Sequence, residues 1–126
     1  MRKSIQIGGE ELELCSNAAV PLYYKRVFPG DDLLRHFSRE EDGAERTEAQ
    51  FRLMFIEAML AKGLSTGEMI KLRETDYIDW LAQFEYTDAL EGAQEALGCF
   101  VGEDDTEEDS TEEDASKNAQ EGQDAV

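Results

Sequence analysis

The sequence predicts a mainly helical protein in which an N-terminal β-hairpin precedes a small bundle of about five amphipathic helices and an acidic C-terminal tail. Apolar residues alternate with polar ones over residues 3–15, recur every three or four residues from there to about residue 100, and nearly disappear afterwards. Alternation is typical of strands, and the longer spacing is typical of helices. We therefore expect a folded domain over residues 1–102 and a disordered tail over residues 103–126.

Residues 3–15 have the pattern of a β-hairpin. Isoleucines and leucines alternate with polar residues on both sides of Gly8-Gly9. Glycine adopts the positive φ that a two-residue hairpin turn requires. This loop length places Ile5 opposite Leu12, so one face of the hairpin is apolar and is expected to pack against the helices.

The first helix is predicted to follow a capping Ser16 or Asn17 and to end at Pro29-Gly30. Pro21 falls in its first turn, where the missing N–H removes no internal hydrogen bond.

A short second helix is predicted to begin at Asp31 or Asp32 and to carry His36 on its surface. Residues 38–46, which are charged and include Gly43, are expected to form an exposed connection.

The strongest helical pattern covers about residues 47–62, and Gly63 supplies its C-terminal stop. Its apolar stripe is wide enough for a central, buried helix. The stripe consists of Phe51, Met54, Phe55, Ala58 and Met59, with Leu53, Ile56 and Leu60 beside it.

Three further helix starts follow, each with a capping side chain before apolar residues at helical spacing. The candidate caps are Ser65 with Glu68, Thr75 or Asp76, and Thr87 or Asp88. Gly92 and Gly98 are expected to weaken the last helix, because glycine is a poor helix former.

Negative charge is concentrated in the tail. Residues 103–126 contain eleven acidic residues and one lysine, and so carry −10 of the total net charge of −18. They repeat Thr-Glu-Glu-Asp at residues 106–109 and 111–114, with too few apolar side chains to offset the entropy of ordering. An acidic chain repels phosphate groups, so binding to nucleic acid or anionic lipid is disfavoured.

The sequence does not support a catalytic or metal-binding role. His36 is the only histidine, and neither Cys15 nor Cys99 lies in a nucleophile motif. These three residues do not have the spacing of zinc ligands. We therefore expect no enzyme activity, no cofactor and no metal site, and two unlinked cysteines that pack in the fold.

Export and membrane insertion are not expected either. The charged N-terminal region has no apolar segment of a signal peptide, and the apolar runs are far shorter than the roughly 20 residues that span a bilayer. The sequence therefore predicts a soluble protein of a reducing compartment.

Two sets of apolar side chains are candidates for partner binding. Aromatic residues concentrate at interface hot spots, although core packing is the alternative for every member. The first set is Leu33, Leu34 and Phe37 of the short second helix, and the second set is Tyr77, Trp80 and Phe84.

Several local sequences occur in a characteristic order. They are Ser4-Ile-Gln-Ile-Gly-Gly-Glu-Glu-Leu-Glu-Leu14, Ser16-Asn-Ala-Ala19, Tyr24-Lys-Arg-Val-Phe28, Gly30-Asp-Asp-Leu-Leu34, the helix over residues 51–60, and Tyr77-Ile-Asp-Trp-Leu-Ala-Gln-Phe84. In this order, over roughly residues 4–100, the chain resembles the tail assembly chaperones of long-tailed, siphovirus-type bacteriophages and Gram-positive prophages.

The resemblance implies a non-enzymatic protein in the cytoplasm of the bacterial host. It would bind and solubilise the tape measure protein, assist tail tube polymerisation, and be absent from the mature virion. Tail tube protein is a further expected partner, and a homo-oligomer is expected because a long client offers many equivalent sites. The alternative from a different class is an acidic DNA mimic that inhibits a nucleic-acid-binding defence protein of the host.

Overall fold

The computed structural model describes residues 1–37 and 43–102. Its elements are strands β1 (Arg2–Ile7) and β2 (Glu10–Cys15), helix α1 (Val20–Val27), a 3₁₀ helix (Leu33–His36), and helices α2 (Gly43–Ala61), α3 (Thr66–Met69), α4 (Glu74–Leu81) and α5 (Tyr86–Val101). The predicted fold class, an N-terminal hairpin followed by a mostly helical bundle, is confirmed. The predicted acidic tail, residues 103–126, lies outside the described residues.

The hairpin has the predicted register. β1 and β2 pair antiparallel, and Ile5 lies opposite Leu12. Gly8 and Gly9 form the turn with φ values of 60° and 84°. Positive φ at both central residues matches the right-handed twist of the strands, which explains why the turn requires two glycines.

The apolar face of the hairpin packs on two helices, β2 against α2 and β1 against α5. Gly92 of α5 allows this close approach. A Cβ atom at this position would lie 2.9 Å from Met54 Sδ and 3.0 Å from Ile7 Cδ1. The glycine that was expected to weaken α5 therefore makes room for side chains of α2 and β1.

Helix α2 is the centre of the core, as its wide apolar stripe predicted. Between Phe51 and Met59 every residue except Arg52 is buried. The helix contacts the hairpin, α1, the 3₁₀ helix, α4 and α5. None of the helices in the described part of the chain has the length and apolarity that crossing a bilayer requires.

Two predicted boundaries in the first half of the chain are wrong. Helix α2 starts at Gly43, so residues 43–46 are helical and do not form a connection. Residues 38–42 lie outside the described residues. Neither Ser16 nor Asn17 caps α1, since Ala19 precedes its first turn and the Asn17 side chain accepts a hydrogen bond from the Ala19 N–H at 2.8 Å.

The later helix starts are confirmed at α3 and displaced at α4 and α5. The Ser65 and Glu68 capping box has its two reciprocal hydrogen bonds, at 2.8 and 3.2 Å. Helix α4 begins after Arg73, because the Asp76 carboxylate reaches back to the Arg73 N–H at 2.8 Å. Helix α5 begins after Glu85, which precedes both predicted caps.

Candidate functional site

The carboxylate of Asp31 joins α1, the 3₁₀ helix and α2. It accepts hydrogen bonds from the Tyr24 hydroxyl at 2.6 Å and from Arg52 Nη1 at 2.7 Å, and His36 Nε2 lies 2.7 Å from its second oxygen. Arg35 adds an ion pair at 3.2 Å. The prediction of a surface histidine is wrong, since His36 is only 6% exposed and bonds to this carboxylate.

The Asp31 carboxylate is held in its charged form. Burial by itself would raise its pKa, but the hydrogen bonds from Tyr24, His36 and the Asp32 N–H outweigh burial and lower the pKa to about 2. Burial, together with the hydrogen bond to Asp31, raises the pKa of the Tyr24 phenol, so Tyr24 remains a hydrogen-bond donor. The cluster is therefore a fixed electrostatic link between elements.

Arg52 extends this link to α4. Its guanidinium group lies over the Phe28 ring at 5.0 Å, and Nη2 lies 3.6 Å from the Glu74 carboxylate at the start of α4. Tyr77, one turn further along α4, packs edge-on against Phe28 and Phe55 at centroid distances of 5.1 and 5.7 Å. Helix α4 is thus held on α2 at two successive turns.

A largely apolar groove of about 540 Å³ runs along the N-terminal half of α2 and the C-terminal half of α4. We call it the α2–α4 groove. It is lined by Gly43, Ala44, Thr47, Glu48, Phe51, Tyr77, Ile78, Leu81 and Tyr86.

Two large hydrophobic side chains of the α2–α4 groove are exposed to solvent. Ile78 is 53% exposed and Tyr86 is 65% exposed. The Tyr86 ring still packs edge-on against Phe51 at 5.7 Å, so one edge is fixed while most of the ring faces solvent. Exposed apolar side chains around a concave surface are typical of a binding site.

In the described part of the chain, the one charged residue in the lining of the groove is acidic, and Arg52 pairs with it from the side at 3.5 Å. Glu48 belongs to the lining, while Asp79 and Glu85 are exposed neighbours of Ile78 and Tyr86 along the chain. No basic side chain lines the groove among the described residues. The arrangement is therefore suited to an apolar surface with positive charge on the side of Asp79 and Glu85.

The structure divides the first predicted binding set between core and surface. Leu33 is fully buried, whereas Leu34 is 52% exposed. Phe37 is half-buried and packs against Phe100 of α5 at 6.5 Å. These three side chains therefore do not share one exposed face.

The second predicted set does come together, mainly as packing. Tyr77 is buried, and Trp80 packs against Phe84 at 5.1 Å and against Phe55 of α2 at 5.5 Å. The alternative to partner binding was core packing between the last two helices. Tyr77 and Trp80 of α4 instead pack against Phe55 of α2. Of the six predicted residues, Tyr77 alone appears in the lining of the α2–α4 groove.

The predicted binding sets did not include Ile78, Leu81 or Tyr86, which line the groove. A signal for two of them was present, because Ile78 and Leu81 are three residues apart and form a second apolar stripe on α4. Ile78 lies almost opposite Trp80 on a helix of 3.6 residues per turn. An apolar residue on the face opposite the packed aromatic residues indicates a second contact surface.

A second carboxyl group, that of Glu57 in α2, has very different surroundings. Glu57 is fully buried, and neither carboxyl oxygen has a hydrogen-bond partner within the described structure. Burial raises its pKa to about 9. The Ser16 hydroxyl is near enough to lower the pKa in part but does not meet the geometry of a hydrogen bond, and the charges of Lys3 and the N-terminal ammonium lower it further. Glu57 is therefore neutral at pH 7.

The Cys99 thiol shows no sign of activation. Burial, reinforced by Glu57, raises the pKa of the Cys99 thiol to about 11, whereas reactive cysteines have lowered pKa values. Cys99 is buried and Cys15 is half-buried, both as free thiols. In residues 1–37 and 43–102 no three histidine, cysteine or acidic side chains are arranged to hold a metal ion.

No protein-family model, no curated protein and no solved structure matches this chain.

Proposed function

We propose that this protein is a non-catalytic assembly chaperone that binds an amphipathic helix of a client protein in the α2–α4 groove. The observation that carries the proposal is the groove itself, where Ile78 and Tyr86 remain exposed at 53% and 65% beside the buried ring of Phe51. Helix-in-groove recognition uses such a surface, with client side chains at i, i+3, i+4 and i+7 as anchors.

The frame around the groove supports this function because it is already assembled. The Asp31 carboxylate, Arg52 and Glu74 tie α4 to α2, and Tyr77 fills the space between them. A preformed groove binds more tightly than one that must first be ordered, because less conformational entropy is lost on binding.

The acidic side chains near the groove indicate which helices would bind, although Glu48 is already paired with Arg52. A client helix with basic residues beside its apolar stripe would place them near Glu48, Asp79 and Glu85. Such exposed pairs contribute little affinity, but they favour one orientation and speed up association.

The resemblance to tail assembly chaperones supplies the identity of the client in this proposal. A tape measure protein is long and largely helical, and its apolar stripes would aggregate without a partner. We propose that this chain shields those stripes in the cytoplasm of the infected or lysogenic bacterium, assists tail tube polymerisation, and leaves before the virion matures.

The proposal predicts that a tape measure protein is encoded beside this gene. The test is co-expression of the chain with amphipathic segments of that protein. We expect the wild-type chain to keep a segment soluble and to co-elute with it. Ile78→Asp should weaken binding about tenfold or more, because it puts a charge at the centre of an apolar contact. The readouts are the soluble fraction of the client and the dissociation constant.

Leu22→Asp is the matched control, since Leu22 is 67% exposed on α1 and does not line the groove. Equal binding by the Ile78→Asp and Leu22→Asp variants would contradict the assignment of the groove. A client that stays insoluble with the wild-type chain would contradict the chaperone function. Binding through apolar contacts should persist at high salt, whereas binding by an acidic DNA mimic should be lost.

A further inference from the structure

A second cleft, of about 550 Å³, lies between the end of α1 and the segment that joins α3 to α4. Three exposed basic side chains line it, those of Arg26, Lys71 and Arg73. None of the three forms an ion pair with another residue in the described part of the chain. We call it the basic cleft.

The basic cleft is unexpected in a chain with a net charge of −18. Its one acidic lining residue, Glu74, has its carboxylate 3.6 Å from Arg52, so Glu74 is already engaged by another cation. Neighbouring cations that are not neutralised repel each other, and an anionic group bound among them would remove that repulsion. The cleft is therefore suited to a ligand with several carboxylates.

We propose that the basic cleft binds the acidic segment of the same chain at residues 106–114. This segment holds two Thr-Glu-Glu-Asp repeats, and each repeat brings three carboxylates to a cleft with three cations. Carboxylates bound by guanidinium and ammonium groups form charge-assisted hydrogen bonds, which are stronger than bonds between neutral groups.

The end of α5 is close enough for this contact. Gly102 and Pro21 both line another cleft, which lies at the start of α1. Arg26, which lines the basic cleft, lies near the end of α1. Helix α1 has 8 residues. Its length is therefore about 12 Å at the usual helical rise. Four extended residues beyond Gly102 span about 13 Å, and the twelve residues 103–114 span about 40 Å, so the two repeats together have enough length to cross the cleft beside Pro21 and follow α1 to the basic cleft.

Because residues 106–114 belong to the same chain as the basic cleft, weak ion pairs are sufficient to hold them there. A segment joined to its site by a short linker has an effective concentration on the order of millimolar, so each exposed pair need contribute only a little. Contacts of this kind are screened by salt, which gives the interaction a signature that apolar docking lacks. The inference does not depend on the identity of the client.

The test uses energy transfer in the full chain from Trp80, its single tryptophan, to an acceptor attached at Ser110→Cys. Trp80 belongs to α4, whose first residue lines the basic cleft. Cys15→Ser removes the more accessible native thiol, while Cys99 is buried. We expect efficient transfer at low salt that falls on the order of twofold at high salt.

Lys71→Glu should reduce transfer at low salt to the high-salt value, whereas Lys62→Glu should leave it unchanged. Lys62 is a matched control because it is exposed and does not line the basic cleft. Equal transfer in the two variants, or transfer that does not respond to salt, would overturn the proposal. Transfer that appears only between different molecules, and so depends on concentration, would assign the cleft to a second copy and would also overturn it.

Discussion

Within the described residues, the carboxyl groups of Asp31 and Glu57 are both shielded from water, and they differ in what surrounds them. Asp31 has the Tyr24 hydroxyl, His36 and Arg52 within 2.7 Å, and its pKa falls to about 2. Glu57 has no hydrogen-bond partner within the described structure, and its pKa rises to about 9. Burial acts against ionisation in both, so the difference comes from the partners.

The two groups therefore have different roles. Asp31 links the elements that build the candidate site, whereas the buried Glu57 weakens the fold. The charged Asp31 connects the elements that support the α2–α4 groove. Glu57 faces Ser16 and the N-terminus, away from that network, and its unsatisfied oxygens destabilise the folded state. We therefore expect substitutions at the two positions to change stability in opposite directions.

Asp31→Ala should have the largest effect. It leaves the Arg52 guanidinium without its closest carboxylate and removes the acceptor of the Tyr24 hydroxyl. For such a partly buried, charged hydrogen-bond acceptor we expect the free energy of unfolding to fall by about 2–3 kcal/mol. Urea denaturation followed by circular dichroism measures this loss. Asp32→Ala is the control, because Asp32 caps the 3₁₀ helix and the loss of a cap lowers stability by about 1 kcal/mol. Equal losses would show that the Asp31 network is not a stabilising centre.

Glu57→Leu should stabilise the protein. Removing a buried polar group without a partner raises the free energy of unfolding by about 1–3 kcal/mol at neutral pH. The pKa of Glu57 is raised from 4.5 to about 9 in the folded state. The free energy of unfolding of the wild type is therefore highest below pH 4.5, where Glu57 is protonated in both states, and it falls as pH rises to 9. The difference between Glu57→Leu and wild type should therefore grow across this range, as measured by denaturation at several pH values.

Glu57→Gln separates the effect of ionising the buried carboxyl group from the effect of burying a polar group. It should remove the pH dependence between 4.5 and 9 but keep most of the destabilisation, since its amide is also a polar group without a partner. Asp31 acts in the opposite pH range, because its folded pKa is lowered from 3.8 to about 2 and its contribution is lost as pH falls through that interval. An unchanged alkaline slope in Glu57→Leu would show that Glu57 does not carry the buried proton.

Tyr24→Phe should have the smallest of these effects, a loss of about 1 kcal/mol. The Asp31 carboxylate would lose one donor at 2.6 Å but would keep Arg52 and His36. Tyr23→Phe is the matched control, because its hydroxyl bonds to Thr66 at an exposed position. A loss as large as that of Asp31→Ala would mean that the phenol, not the charge, holds the cluster together.

The parts of the fold that could be predicted depend on neighbouring residues. Two glycines between alternating apolar residues define the hairpin turn and place Ile5 opposite Leu12. The capping box at Ser65 is equally local. The sequence predicts a start of α2 that is too late, because residues 43–46 are mostly polar. Contacts elsewhere in the fold decide whether such a turn is helical.

The candidate site was harder to predict because its contacts are distant in sequence. Asp31 meets Arg52 across 21 positions, and no local pattern marks that pair. The same holds for the basic cleft, which Arg26 lines together with Lys71 and Arg73. Aromatic content directed attention to Trp80 and Phe84, which pack against α2 and each other, and away from Ile78, whose exposure only the fold reveals.

The proposed binding mode is tested most directly by mapping a client helix on the ¹⁵N-labelled full chain. An amphipathic tape measure segment should shift the backbone amide resonances of Thr47, Phe51, Ile78 and Tyr86, and the shifts should disappear in Ile78→Asp but persist in Leu22→Asp. Shifts confined to Leu34 and Phe37, or spread evenly over the chain, would contradict binding in the α2–α4 groove.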